Sequence, residues 1–203
     1  MKRCGTLVTS SFVYAKIVNM QVADIRDDID YELISHEDLM KRIREVAKQV
    51  SEDYKNRNIL LVAVLKGAVN TLAIFSQELS VNAPMDFMSL SSYGSGTQTS
   101  GHIKVREDLS TDVRGKDILI VEDIVDSGRT LDWLVNELKG RGANSVKVFA
   151  LLSKPARREV DVKIDYTGFE IPDAFVVGFG MDYDERYRNL NSIAVLKPSV
   201  YGD

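Results

Sequence analysis

The sequence predicts an α/β fold, an open, mainly parallel twisted sheet flanked by helices. Three observations lead there. Residues 59–65 and 118–121 are unbroken apolar runs, which suit strands buried on both faces of a parallel sheet better than strands with one wet side. Each run stops abruptly at polar or glycine-bearing residues, and apolar positions then recur at helical intervals. Four βα-type units succeed one another without internal repeat, the pattern of strands joined by crossover helices.

Length and composition agree with that class. A chain of 203 residues is most simply one domain, large enough to bury a substantial core without disulfides or metals. With 44% hydrophobic and 28% charged residues it has the composition of a soluble globular protein. One cysteine, Cys4, excludes an internal disulfide framework and is compatible with a reducing cytoplasm. A net charge of -4 and a pI near 5.3 argue against a nucleic-acid partner, which would need a basic face. No run approaches the eighteen or so apolar residues of a membrane span.

In chain order, residues 1–22 read as an extension. Lys2 and Arg3 precede a mildly apolar stretch, but Thr9, Ser10, Ser11 and Lys16 interrupt it, so it is a poor signal peptide. Residues 23–203 are taken as one domain. Ser35 is a good N-cap, and Leu39, Ile43, Val46, Ala47, Val50 and Tyr54 follow at helical spacing. His36 falls in the first turn of that helix as an exposed residue. The strand at 59–65 ends in Lys66-Gly67, and Val69, Leu72, Ala73 and Leu79 open the next helix. A strand with Phe87 and Leu90 then runs into residues 91–101, where three glycines and no charge suit a flexible lid that closes over a reaction. Residues 102–106 return as its second strand. Past the central strand, a helix over 131–139 stops at Gly140 and Gly142, and 145–152 is the next buried strand. Lys154 stands at that strand's carboxyl end beside Pro155, residues 171–180 suggest a short apolar strand, and 192–196 a last one.

The chemistry concentrates at 118–130. Glu122, Asp123 and Asp126 place three carboxylates at a strand's carboxyl end, where open α/β sheets bind ligands. Ser127, Gly128, Arg129 and Thr130 follow as a turn into a helix. Such a turn can aim backbone N–H groups at one phosphate, while the acids suit Mg²⁺ or ribose hydroxyls. A plainer account makes the turn an ordinary strand-to-helix connection with Asp126 as the helix cap.

Two acids, two apolar residues and then Asp-Ser-Gly-Arg-Thr resemble the phosphoribosyl pyrophosphate (PRPP) motif of the type I phosphoribosyltransferases. Leu65-Lys66-Gly67 is similar to the pyrophosphate loop of the purine-specific branch, and Ser92-Tyr93 to the Ser-Tyr pair of its lid. Lys154, residues 171–182 and the segment ending at Arg188 resemble the base-binding hood of the hypoxanthine-guanine phosphoribosyltransferases, with the hood drawn from 25–34 and 153–190. Relatives usually begin shortly before the segment at 25–34, so Met20 is a plausible alternative start.

The resemblance implies transfer of the 5-phosphoribosyl group from PRPP to a 6-oxopurine, giving IMP or GMP and pyrophosphate. It implies a Mg²⁺ cofactor, a cytoplasmic location and a homodimer or homotetramer. Residues 126–130 would hold the 5′-phosphate, and Glu122 and Asp123 the ribose and Mg²⁺. Lys66, Gly67 and Arg188 would hold pyrophosphate, and Asp182 a second Mg²⁺. Lys154 would donate to the 6-oxygen, Phe175 would stack on the base, Val176 would read its edge, and Asp126 would be the acid/base residue at N7. The rivals are a xanthine-preferring relative and a PRPP-sensing regulator without catalysis.

Overall fold

The structure, a computed structural model, describes residues 19–92 and 103–202. The two apolar runs lie in β2 (Ile59–Leu65) and β5 (Asp117–Val125), which pair in parallel with Ile59 opposite Asp117 and Ala63 opposite Val121. On the other side of β2 lies β3 (Met85–Ser92), also parallel, and β6 (Ser145–Ser153) and β7 (Tyr166–Glu170) extend the sheet beyond β5. The antiparallel edge strand β4 (Ile103–Glu107) completes the order β4-β3-β2-β5-β6-β7.

Alternate residues of the central strands feed two cores. Leu61, Ala63, Leu119, Val121 and Phe149 pack with α1 (His36–Asp53) and α2 (Val69–Glu78). Leu60, Val62, Ile118, Ile120 and Val148 face the other way, onto α3 (Arg129–Gly140). Burial on both sides explains why these strands lack a polar alternation. The expected cap is present: the Ser35 hydroxyl accepts from the Asp38 N–H at 3.2 Å and so satisfies a donor that the first turn of α1 leaves free.

A second, antiparallel sheet has the order β1-β9-β8 and consists of β1 (Ile29–Ile34), β8 (Val176–Val177) and β9 (Ile193–Leu196). It covers the carboxyl ends of the main sheet as a hood. Its own core joins Ile29, Val177, Leu190, Ala194 and Leu196, with Met20, Val22 and Ile25 packed against it. A short helix, α4 (Pro198–Tyr201), follows β9.

One expectation is corrected. The strand read at 171–180 shrinks to the two residues of β8. Pro172 lacks a ladder donor, and Gly178, Phe179 and Gly180 have φ of 100, 52 and 107°, a left-handed backbone that leaves the sheet. Of the lid expected at 91–101, residues 93–101, Tyr93 included, lie outside the described residues, while Ser91 and Ser92 belong to β3, Ser92 opposite Ile103. Among the described residues no helix is long and apolar enough to cross a membrane.

Candidate active site

β2 and β5 leave the sheet side by side, and the helices that follow them diverge. Leu72 and Phe75 of α2 pack on one face, Leu131 and Leu134 of α3 on the other. That divergence opens a crevice beyond the strands' carboxyl ends, the ligand site of such sheets. The Leu65–Lys66 peptide on its wall is cis.

Contact across the crevice is close. A Cβ at Gly67 would run into the Asp123 carboxylate, and one at Gly180 would run into the Gly67 carbonyl. The two glycines therefore let the β2 turn, the β5 end and the hood meet backbone to side chain. Asn70 adds a bond from its amide to the Arg188 carbonyl at 3.3 Å.

A cavity of about 420 Å³ occupies the crevice. Lys154, Phe175 and Val176 line it together with Lys66, Gly67, Asp182 and Arg188. Asp123 and Asp126 are also on its wall. A second cavity, about 220 Å³, is lined by Glu122, Ser127, Gly128 and Thr130, and Asp126 and Ile124 border both. The alternation of β5 explains the division: Asp123 points to the face of Val121, and Glu122 to the face of Ile120.

The turn at 126–130 is held from outside. The Ser127 carbonyl accepts from the N–H groups of Glu159 and Val160 at 3.0 and 3.1 Å. Gly128, at φ 83°, is the N-cap of α3, so Asp126 is not its cap. The Arg129 guanidinium turns outward to Glu159 at 2.6 Å and lines neither cavity. Its backbone N–H lies 3.4 Å from the Ser127 hydroxyl.

Lys154 joins the turn to the hood side. Its N–H donates to the Val125 carbonyl at 3.0 Å, and its ammonium lies 3.4 Å from the Asp126 carboxylate. At the cavity's other end the Arg188 guanidinium donates to the Gly180 carbonyl at 2.8 Å and pairs with Asp182 at 2.9 Å. Glu185, which nothing in the sequence singles out, accepts from Lys66 at 3.0 Å and from Arg188 at 3.2 Å. Those hydrogen bonds hold its carboxyl below the usual range.

Burial pushes the Glu122 carboxyl well above its ordinary range, and the neighbouring Asp123 charge adds to the effect. Asp123 is pushed up to about 6, again chiefly by burial, against a lowering hydrogen bond from the Ile124 N–H at 2.9 Å. A hard cation binds the ionised carboxylate, so either acid must shed its proton to hold one. Among the described residues, no three acid, histidine or cysteine side chains gather closely enough to form a closed metal cage. Ile124, Arg157 and Met181 also line the larger cavity. Ile124 was legible only as a spacer between the acids, and Arg157 and Met181 carried no signal.

Comparisons with known proteins agree with this geometry. The phosphoribosyl transferase domain family matches residues 31–184. The hypoxanthine-guanine phosphoribosyltransferase of Bacillus subtilis is 48% identical over 177 residues, covering 87% of this chain and 98% of that protein. The bifunctional protein TilS/HprT of Listeria monocytogenes is 48% identical over 179 residues, and this chain spans 28% of its length. A solved hypoxanthine phosphoribosyltransferase from Staphylococcus aureus superposes with a TM-score of 0.86 at 37% identity, over 89% of this chain and 98% of that one. A family match over residues 31–184, together with a relative 48% identical over 87% of the chain, means that this chain belongs to the phosphoribosyl transferase family.

Proposed function

We propose that this chain is a purine-salvage enzyme that transfers the 5-phosphoribosyl group of PRPP to N9 of hypoxanthine or guanine, giving IMP or GMP and pyrophosphate. The observation that carries this reading is one cavity bordered by a buried lysine with an apolar ring beside it and by two cations at its far end, which shares Asp126 and Ile124 with a second cavity lined by Ser127, Gly128 and Thr130. Lys154 donates to the purine's 6-oxygen, a contact that a 6-amino group cannot accept. Phe175 and Ile124 offer apolar surface to the flat base, and the Val176 backbone reads its edge.

At the sugar, the amides and hydroxyls of residues 126–130 hold the 5′-phosphate, as a turn opening a helix does well. Lys66, Gly67 and Arg188 hold the pyrophosphate. Asp126 takes the proton at purine N7, which makes N9 the better nucleophile. The sugar becomes cation-like as pyrophosphate leaves, so fixed carboxylates and exclusion of water supply most of the assistance.

Asp123, on the wall that also holds Lys66, Asp182 and Arg188, supplies an oxygen donor that would hold Mg²⁺ beside pyrophosphate, Glu122 on the other face of β5 would serve the ribose side, and Asp182 would support a second ion. When bound, the ion neutralises pyrophosphate charge as it departs. Ser92 and Tyr93 belong to the closing lid of this reading. We further take residues 23–203 as one catalytic domain, working in the cytoplasm as a homodimer or homotetramer.

A steady-state assay with PRPP, Mg²⁺ and hypoxanthine, guanine, xanthine or adenine tests the reading. Turnover with the first two and none with adenine is expected. Activity confined to xanthine, or PRPP binding without turnover of any base, overturns it.

A further inference from the structure

Phe175 is an unusual choice for a rigid wall. It is 37% exposed, in the irregular segment between β7 and β8, and an exposed ring there has room to turn about χ1 and χ2. Two other rings fix it. Tyr201, the last residue of α4, stacks on Phe175 with centroids 4.7 Å apart and planes 22° from parallel. Tyr183 meets it edge-on at 5.6 Å and 89°. Phe175 borders the 420 Å³ cavity, and Tyr201 stacks on it from outside the cavity's lining.

The backbone fixes the same relation. The Phe175 carbonyl accepts from the Leu196 N–H at 2.9 Å, and β9 then leads within five residues to Tyr201. Inside α4 the Val200 N–H returns to the Lys197 carbonyl at 2.9 Å, which holds the helix close to the strand end.

We propose that Tyr201 is a positioning residue for the purine: it backs Phe175 so that base, Phe175 and Tyr201 form a three-layer stack. The inference rests on the purine reading of the cavity. A ring already held flat loses less rotamer freedom when the base arrives, so the effect falls on base binding and not on PRPP. The Tyr201 hydroxyl has no part in it, and phenylalanine serves equally.

The test is a comparison of Tyr201→Ala, Tyr201→Phe and the unaltered protein in the PRPP assay, with thermal midpoints recorded alongside. The alanine variant should raise the KM for hypoxanthine or guanine roughly two- to tenfold, the size of an aromatic pair. Its KM for PRPP and its kcat should stay near those of the unaltered protein, and the phenylalanine variant should match the unaltered protein throughout. An unchanged purine KM in Tyr201→Ala, or equal rises for purine and PRPP, overturns the role of Tyr201 while leaving the purine reading in place. No transfer to any purine by the unaltered protein overturns that reading, and the three-layer stack with it.

Discussion

The Lys154 ammonium lies 3.4 Å from the Asp126 carboxylate, and the pair spans the step from β6 to the phosphate turn. The lysine side chain is 8% exposed and the aspartate 48%, so a nearly buried cation leans on a carboxylate that remains open to a ligand. On the proposed reading, that open carboxylate is the one that meets the bound base at N7.

Asp126→Asn should therefore fold and bind PRPP nearly normally, because the turn is held by backbone bonds to Glu159 and Val160. Turnover should fall by about 10² to 10⁴-fold, the range for a positioned acid/base group. Single-turnover rates beside a PRPP binding isotherm check both halves, and an unchanged rate removes Asp126 from the role.

Lys154→Ala acts on selection. With the donor gone, hypoxanthine and guanine lose the contact that separates them from adenine, and the ratio of kcat/KM values for hypoxanthine over adenine should collapse. Intact discrimination in the variant would show that the 6-oxygen is read by another group.

Gly67→Ala places a methyl where the Asp123 carboxylate now lies. Either the acid swings away or the β2 turn retreats, at a cost on the order of 1–3 kcal/mol for forced overpacking. A lowered thermal midpoint and a raised KM for PRPP are expected together. A variant with both values unchanged would mean that the two segments part without penalty.

The sign of a pH effect follows from Asp123. Its folded pKa, about 6, stands above the ordinary aspartate value near 4. Between those limits the folded protein binds more protons than the unfolded chain, so this contribution is full at low pH and is lost as pH rises through 6. Asp123→Asn stays neutral and escapes the loss. The thermal midpoint of the variant minus that of the unaltered protein, without Mg²⁺ or PRPP, should grow from pH 4 to pH 7. A flat difference would mean that the acid ionises freely in the folded state.

Much of this was legible in the sequence, for a physical reason in each case. β2 and β5 are buried on both faces, so their composition announces them, and residues 122–130 stand out by their type and spacing at the carboxyl end of β5. β1 and β7 do not read as strands: IDYELI alternates only from Ile29 to Leu33 and leaves Tyr31 exposed, and YTGFE neither alternates nor stays apolar. The division of Glu122 and Asp123 between two cavities was implicit in the period of a strand. Contacts made by chain far away were hidden. Tyr201 on Phe175 and Glu185 on Lys66 depend on how the hood folds back, and no local pattern encodes that.

Glu185 supplies the last expectation. Its carboxylate holds Lys66 and Arg188 together, and these are the cations assigned to pyrophosphate. On the proposed reading PRPP competes with Glu185 for these two cations. Glu185→Gln removes the competing charge and leaves the turn of residues 183–186, held by the Arg186 N–H on the Tyr183 carbonyl at 3.0 Å, in place. The KM for PRPP should fall in this variant, modestly because the resident pair is exposed and screened by salt. The same exposure makes the gain largest at low ionic strength. Titration of PRPP affinity against salt for both proteins distinguishes this from a general loosening of the hood: competition predicts curves that converge at high salt, and parallel curves would assign Glu185 to structure alone.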